Sequence, residues 1–300
     1  MRKLLVTCLL LASCSSAGVV KETPDGIVWQ TTTTIPQQIS VVAVGDIACS
    51  SSQRESTEND CQDIAVAKLA SGMNPDFVFA LGDIQYNSHG STEFELNFGT
   101  YWASLLSITK PIAGNHEYGD GKAEDFFSTW GNIPRSGYYS FEVGDKWLVV
   151  ALNTNDECTF VSCSKGSDQY LWLQQQLASN TDRCVIALGH HPRYSSGAHG
   201  DTEAVNDIYG LMSQYEVSMY ISGHDHHYER FETNRSPKQY VVGTGGRSLR
   251  GVWKQSEHSA SIIDDKYGVL VLDISGSVIR ERFVGLAGET LDSDTTVCYR

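Results

Sequence analysis

Five apolar, strand-like runs in this chain end the same way, in a glycine followed at once by a residue that can bind or carry charge. "ISVVAVGD" stops at Gly45-Asp46, "DFVFALGD" at Gly82-Asp83 and "KPIAGNHE" at Gly114-Asn115-His116. "RCVIALGHH" stops at Gly189-His190-His191, and "ISGHDHHYER" carries Gly223-His224-Asp225-His226-His227. Singly, each has an ordinary explanation: an aspartate caps a helix, an Asn-His pair makes a turn, a lone histidine is a hydrogen-bonded polar residue. Together they constrain the fold, because strands followed by helices deliver their C-terminal ends to one edge of an open α/β sheet, where sites gather. A glycine at each exit lets backbones turn tightly and crowd round a small site. Oxygen donors mixed with imidazoles suit first-row transition metals, and a carboxylate can bridge two of them.

The segments between these exits read mostly as helices. "NDCQDIAVAKLASG" has polar capping residues, apolar positions near helical spacing and Gly72 as a stop. "STEFELNFGTYWASLL", "SDQYLWLQQQLASN" and "DTEAVNDIYGLMSQY" follow suit, the last opened by Asp201 at its cap. "GYYSFEVGDKWLVVALNT" reads as a hairpin turned at Gly144-Asp145. Past the histidine-rich exit only strands follow, in "KQYVVGTGG", "YGVLVLDIS" and "VIRERFVG". Units of strand and helix ending in a β meander predict a layered α/β domain with a mixed sheet or two packed sheets.

The N-terminal residues form a separate region. Basic "MRK", apolar "LLVTCLLLA" and "LASC" at Leu11–Cys14 read as an export signal, the apolar stretch being too short to cross a bilayer. L-A-S-C resembles a bacterial lipobox, which makes residues 1–14 the signal and Cys14 a lipidated membrane tether; the alternative is an ordinary signal cut after Ala17 and a secreted soluble protein. Residues 15–38, ending in "TTTTIPQQ", read as a Thr-rich tether, and residues 39–300 as the catalytic domain. Loss of Arg2 and Lys3 with the signal takes the formal charge from −14 to −16. With no basic run to release counterions, nucleic acid is not expected as a partner. Of eight cysteines, Cys8 and Cys14 belong to the signal, and an even six in an exported chain suggest three disulfides. Sequence proximity favours Cys49–Cys61 and Cys158–Cys163, leaving Cys184–Cys298.

The ordered set GD, GDxxY, GNHE, GH and GHxH, spread over residues 40–250, resembles the calcineurin-like metallophosphoesterases. Tyr86 in "GDIQY" narrows the resemblance to purple acid phosphatases of the small single-domain type. That family implies a four-layer αββα sandwich with two mixed β-sheets. It also implies two metal ions, Fe(III) with a divalent Fe, Zn or Mn. By the same resemblance Asp46, Tyr86 and His226 hold one ion and Asn115, His190 and His224 the other, with Asp83 between them. His116 would stand at the substrate phosphate, and His199 in "SSGAHG" beside the leaving group. Arg193 is a candidate charge at the rim, whereas His191, Asp225 and His227 match no ligand position. Tyr228-Glu229-Arg230 is expected to act as scaffold. One departure concerns the first motif, where Asp46-Ile47-Ala48 has alanine in place of the usual glycine.

The implied activity is an acid phosphatase that hydrolyses phosphate monoesters of small molecules or phosphoproteins through a metal-bound hydroxide, in an exported, cell-envelope lipoprotein expected to be monomeric. Two alternatives stay open: a phosphodiesterase of the same superfamily, and a non-catalytic surface metal-binding or adhesion protein on the same fold.

Overall fold

Side chains alternate in direction along a strand, and in the strand Ile39–Val44 both sets are buried: Val41, Val42, Ala43 and Val44 are fully enclosed. Such a strand belongs inside a layered structure, not on its surface. The computed structural model describes residues 18–23, 26–31, 37–54, 61–87, 90–119, 121–233 and 237–300, in two units, Met1–Gln37 and Gln38–Arg300. In the first unit β1 (Gly18–Thr23) pairs antiparallel with β2 (Gly26–Thr31), so the segment read as a Thr-rich tether contains a hairpin. The signal and lipobox, residues 1–14, lie outside the described residues.

In the second unit, β3 (Ile39–Val44), β4 (Phe77–Ala80) and β5 (Thr109–Pro111) run parallel. Next come β6 (Tyr139–Val143), β7 (Trp147–Ala151), β8 (Cys184–Leu188) and β9 (Met219–Ser222). They are followed by β10 (Tyr228–Phe231), β11 (Lys238–Val242) and β12 (Ser259–Ile263). The last strands are β13 (Gly268–Ser275), β14 (Val278–Gly285) and β15 (Thr290–Val297). They form a six-stranded sheet, ordered β15-β14-β13-β3-β4-β5, and a seven-stranded sheet, ordered β12-β10-β11-β9-β8-β7-β6. Both are mixed: β13 is antiparallel to β3 beside the parallel trio, and β7, β8, β9 and β11 are mutually parallel neighbours flanked by antiparallel strands.

Alternation then builds the layers. Val41 and Ala43 meet Leu270 and Leu272 of their own sheet and Val149, Ala151, Ile186 and Ile221 of the other, making the core between the sheets. Val42 and Val44 face outward onto Val66 and Ala70 of α2 (Asp63–Gly72), which follows the four-residue α1 (Ser51–Arg54). The same layer holds α3 (Ser91–Leu96), α4 (Phe98–Tyr101) and α5 (Glu124–Thr129), through Phe94, Phe98 and Phe126. On the opposite face Leu148, Val150, Val185 and Ala187 pack against Leu173 and Leu177 of α6 (Asp168–Ser179) and Ile208 and Met212 of α7 (Asn206–Gln214). The architecture is therefore the expected four layers, helix–sheet–sheet–helix. Each fully buried aliphatic side chain contributes roughly 1.5–3 kcal/mol relative to its exposed state.

Two local expectations are corrected. "STEFELNFGTYWASLL" is not one helix: it breaks at Asn97, whose side chain donates to the Glu93 carbonyl and carboxylate, both at 2.8 Å. Asp201 does not cap the following helix; its Oδ1 accepts the Ser195 amide at 3.0 Å, and α7 starts only after a 3₁₀ turn at Glu203–Val205. The three disulfides are Cys49–Cys61, Cys158–Cys163 and Cys184–Cys298, as proximity favours. The last joins the start of β8 in one sheet to the residue after β15 in the other, closing a long loop worth about 4–5 kcal/mol of unfolded-state entropy.

Candidate metal centre

The exits of β3, β4, β5, β8 and β9 meet at one edge of the sandwich, where the two sheets are laced together. The Gly45 amide, past β3, donates across to the Val242 carbonyl of β11 at 2.9 Å, while within the seven-stranded sheet the Gly223 amide donates to the His190 carbonyl at 3.1 Å. Residues 46–48 lie against 82–86, with the Asp46, Ile47 and Ala48 amides donating to the carbonyls of Gly82, Asp83 and Ile84. Asp46, Asp83 and His224 all have left-handed backbones, with φ of 59°, 48° and 73°. Non-glycine residues are uncommon there, and such strain concentrates where side chains must be aimed. Ala48 is not among the residues with positive φ, so the alanine that replaces the usual glycine needs no special conformation. At Gly114 a Cβ would come within 2.3 Å of Asp83 Oδ1, and at Gly82 (φ 85°) within 2.6 Å of His190 Nδ1. At both positions only glycine fits.

Two clusters of donor atoms share Asp83. In the first, the Tyr86 hydroxyl donates to Asp46 Oδ1 at 2.8 Å and Asp83 Oδ2 at 2.9 Å, and lies 3.2 Å from His226 Nε2. In the second, Asn115 Oδ1 lies 3.2 Å from His190 Nε2 and 3.1 Å from His224 Nδ1, while His190 Nε2 is 3.4 Å from Asp83 Oδ1. Asp83 thus turns one carboxylate oxygen to each cluster. The back nitrogens of two histidines face carbonyls, His190 Nδ1 at Leu81 and His226 Nδ1 at Ser248, both at 2.7 Å. This orients each Nε2 inward, the arrangement that fixes ligating imidazoles. All seven residues read from the sequence as ligands are brought together here.

The electrostatics fit cations. Burial opposes ionisation of Asp83, yet His190 and His116 hold its carboxyl well below the usual range. Burial, with the Asp46 and Asp83 carboxylates, pushes the Tyr86 phenol well above its ordinary value. Burial also disfavours charge on His190, but Asp83 and Asp46 outweigh it and raise its pKa to about 9. Burial and the neighbouring His191, His190 and His199 push His224 well below the imidazole range. Protons on Tyr86 and His190 therefore supply positive charge between buried oxygens, the service a bound cation performs more fully. Carboxylates, a phenol, an amide oxygen and imidazoles form a donor set suited to two metal ions.

The other predicted residues fall on the rim. The His116 amide donates to Asp83 Oδ1 at 2.9 Å, its Nε2 lies 3.8 Å from Asp83 Oδ2, and its Nδ1 meets the Asn87 carbonyl. His199 is exposed, with its ring centroid 4.3 Å from that of His224 and its Nε2 2.8 Å from Arg250 Nη1. Arg193, expected as a rim charge, is occupied instead by Asp201 and Glu203, at 3.6 and 3.5 Å. Asp225 accepts the His199 amide at 3.1 Å and the Ser195 hydroxyl, while Glu229 accepts the Ser196 amide at 2.9 Å and meets His227 at 3.0 Å. Together they hold the loop that carries His199.

Two residues escape sequence reasoning. Glu117, buried, accepts the amides of Asp83 and Gly114 on Oε2 at 2.8 and 2.7 Å, and of Ile84 on Oε1 at 2.8 Å. It clamps the turn that aims Asp83, and its only signal is its place in "GNHE". His191 bonds Thr154 Oγ1 at 3.0 Å and packs its ring 4.3 Å from His224, so it braces a ligand from behind.

One carboxylate shared by two donor clusters at the edge of a double-sheet sandwich fits a metal-dependent phosphoesterase, and residues 39–228 match the calcineurin-like phosphoesterase family. The chain belongs to that family. Within it, the likeness runs to purple acid phosphatases. Purple acid phosphatase 17 of Arabidopsis thaliana is 26% identical over 247 residues, 71% of this chain and 70% of the relative. Tartrate-resistant acid phosphatase type 5 of Rattus norvegicus is 27% identical over 212 residues, 60% of this chain and 64% of the relative. The structure of a purple acid phosphatase from yellow lupin (Lupinus luteus) seeds superposes with a TM-score of 0.72 at 20% identity, covering 93% of this chain and 58% of the lupin chain.

Proposed function

We propose that this protein is an acid phosphatase acting on phosphate monoesters, with iron(III) held by Asp46, Asp83, Tyr86 and His226 and a divalent Fe, Zn or Mn held by Asp83, Asn115, His190 and His224. The observation that carries the reading is the Tyr86 hydroxyl within 3.2 Å of Asp46, Asp83 and His226 together. A phosphoesterase that used only carboxylates and imidazoles would not need a phenol there. When bound, the cations neutralise phosphoryl oxygens and make a water acidic enough to serve as nucleophile. The chain's own residues do the rest. Asp83 fixes the relation between the two positions, and Glu117 fixes Asp83. His116, pinned through its amide to Asp83 Oδ1, offers its ring to the phosphoryl oxygens. His199, beside the second position, donates a proton to the departing alcohol oxygen.

Substrates are phosphorylated small molecules or phosphoproteins, and the strongly acidic chain does not suit nucleic acid. The three disulfides support an exported protein, tethered through lipidated Cys14 or secreted, and monomeric. The test is turnover of 4-nitrophenyl phosphate against bis(4-nitrophenyl) phosphate by metal-analysed protein at acid pH. Faster cleavage of the monoester is expected. Preference for the diester makes it a phosphodiesterase, and two bound metals with no turnover of either ester make it a metal-binding surface protein.

A further inference from the structure

One strand of the core between the sheets carries a charge where the pattern calls for an apolar residue. Side chains alternate along β14, "VIRERFVG", so Ile279, Glu281 and Phe283 share a face, and Ile279 and Phe283 belong to the inter-sheet core. Glu281 is as enclosed as they are, at 1% exposure. Among the described residues no donor hydrogen-bonds either of its carboxylate oxygens. The buried hydroxyls of Tyr240 on β11 and Thr296 on β15 are likewise without partners.

The charged groups around Glu281 form a seam between β10 and β11 of one sheet and β14 and β15 of the other. Arg230 on β10 forks onto Asp292 of β15, with Nε to Oδ2 at 2.8 Å and Nη2 to Oδ1 at 3.2 Å, and reaches Asp294 at 3.3 Å. The same guanidinium meets Glu232, and the Tyr228 hydroxyl donates to Asp292 at 2.7 Å. Lys238 on β11 donates to Asp294 Oδ2 at 2.7 Å and stands 3.9 Å from Glu281 Oε1. On the far face of β14, Arg282 is taken by Asp273 at 3.0 Å. Two cations, Arg230 and Lys238, thus serve Asp292, Asp294 and Glu232, and Glu281 is the carboxylate left over. As an anion there it has lost its water and gained no donor, whereas a neutral carboxyl costs far less to bury and can itself donate. Burial accordingly pushes its pKa up, against the pull of the Thr296 hydroxyl and the Lys238 cation and with Asp294 adding to the rise.

We propose that Glu281 is a proton-operated latch between the two sheets, neutral and seated in the core in acid, ionised and unpaired there as the pH rises. The proton comes from solvent and binds one carboxyl oxygen. The latch acts on the stability of the domain and stands whether or not the metal centre is a phosphatase. A carboxyl whose pKa is raised on folding stabilises the fold fully below its ordinary value of 4.5 and loses that contribution as pH rises through the folded value. Asp292 and Asp294 work in the opposite sense. Burial opposes their ionisation, but Arg230 and Lys238 outweigh it and lower both, so their contribution is present above 3.8 and lost as pH falls through their folded values. The paired members of the seam therefore hold into acid, while the unpaired one makes acid better than neutral pH.

The experiment compares the metal-loaded, disulfide-intact full chain with Glu281→Gln, an uncharged isostere, and Glu281→Met, an apolar side chain of similar length, at equal metal content. Tm is followed by circular dichroism from about pH 4 to about pH 8. Each variant should gain on the wild type as pH rises, by at least about 2 °C over that range. In the wild type, an infrared band of a protonated carboxyl that both variants lack should persist above the pH at which exposed glutamates ionise. Tm curves that stay parallel, or the absence of that band, overturn the latch. A wild type that gains on its variants as pH rises overturns it too, and makes Glu281 an anion paired with Lys238. Calcium that raises Tm of the wild type but not of Glu281→Gln would make the group a cation ligand instead. If one variant fails to fold, the other and the infrared band decide.

Discussion

The two halves of the centre come from the same sheet edge yet differ in chemistry and in exposure. The first offers oxygens from Asp46, Asp83 and Tyr86 with one imidazole, His226, and these residues are no more than 3% exposed. The second offers one carboxylate oxygen, the neutral amide of Asn115 and the imidazoles of His190 and His224, and its Asn115 and His224 are only half-buried. Two carboxylates and a phenol that becomes anionic on losing its proton, in a closed setting, suit a hard trivalent ion, whereas a mostly neutral, nitrogen-rich set open on one side suits a divalent ion. The asymmetry lies in access: the first cluster is closed off, and the second opens toward solvent.

The comparison breaks at Asp83, which belongs to both halves. Asp83→Asn should therefore lower occupancy of both positions together and reduce turnover by about a thousandfold or more. Asn115→Ala, by contrast, should empty the second position and spare the first. Metal analysis after gel filtration checks both. Two metals per chain and near-normal turnover in Asp83→Asn would refute the bridging role.

Much of this centre is readable in advance because its chemistry sits at strand exits, and strand exits are marked by an apolar run, a glycine and an abrupt polar residue. Asp46, Asp83, Asn115, His190, His224 and His226 all carry that mark, and Tyr86 is reached through its spacing from Asp83. The four layers are readable for a related reason, since uninterrupted apolar strands such as "ISVVAV" demand cover on both faces. What could not be read acts across long separations in sequence. Glu117 serves Asp83 through backbone amides 33 and 34 residues away, and Thr154 reaches His191 across 37. Such bonds leave no periodic trace. A loop arginine in sequence carries no sign of whether a carboxylate awaits it; Arg193 looked available and is paired. The strands β10, β12 and β15 were missed because "YERF", "SASII" and "TLDSDTTV" carry charged or small residues that break the apolar run; β10 is buried all the same, its Glu229 included, while β12 and β15 are only partly covered.

Tyr86→Phe sharpens the contrast between the halves. Removing the phenol oxygen should abolish the violet to pink absorption expected of a phenolate on iron(III), while Asp46, Asp83 and His226 hold that position more weakly. Absorption spectra of iron-loaded wild type and variant test it, and a colourless iron-loaded wild type would make Tyr86 a packing aromatic.

A smaller effect separates the halves by their protons. His190, raised to about 9 in the metal-free chain, stabilises the fold fully below its unfolded pKa near 6.5 and loses that contribution as pH rises through about 9. At pH 7 it is therefore protonated, and filling the second position must expel that proton. Filling the first must expel one from Tyr86, whose phenol is held neutral by burial and two carboxylates. Calorimetry in buffers of different ionisation enthalpy should show proton release on loading at pH 7, falling by about one proton in Tyr86→Phe. Unchanged release in that variant would mean the phenol is not a ligand.

For 4-nitrophenyl phosphate turnover the smallest expected effect lies at His199, which touches neither cluster directly but leans on the open half. Its amide is fixed by Asp225 at 3.1 Å, its ring stands 4.3 Å from that of His224, and its Nε2 faces Arg250. Burial pushes its pKa below the usual value, and the cation of Arg250 works in the same direction against the raising effect of Asp225. A side chain fixed by its backbone at the exposed edge suits transfer of a proton to a departing group better than retention of a metal. His199→Ala should keep both metals and change turnover of 4-nitrophenyl phosphate, a good leaving group, by less than about threefold. Alkyl phosphates, whose alkoxides need a proton to leave, should slow by about a hundredfold. Equal losses on both esters would assign His199 to phosphate binding, and loss of the second metal would make it part of the more exposed half instead.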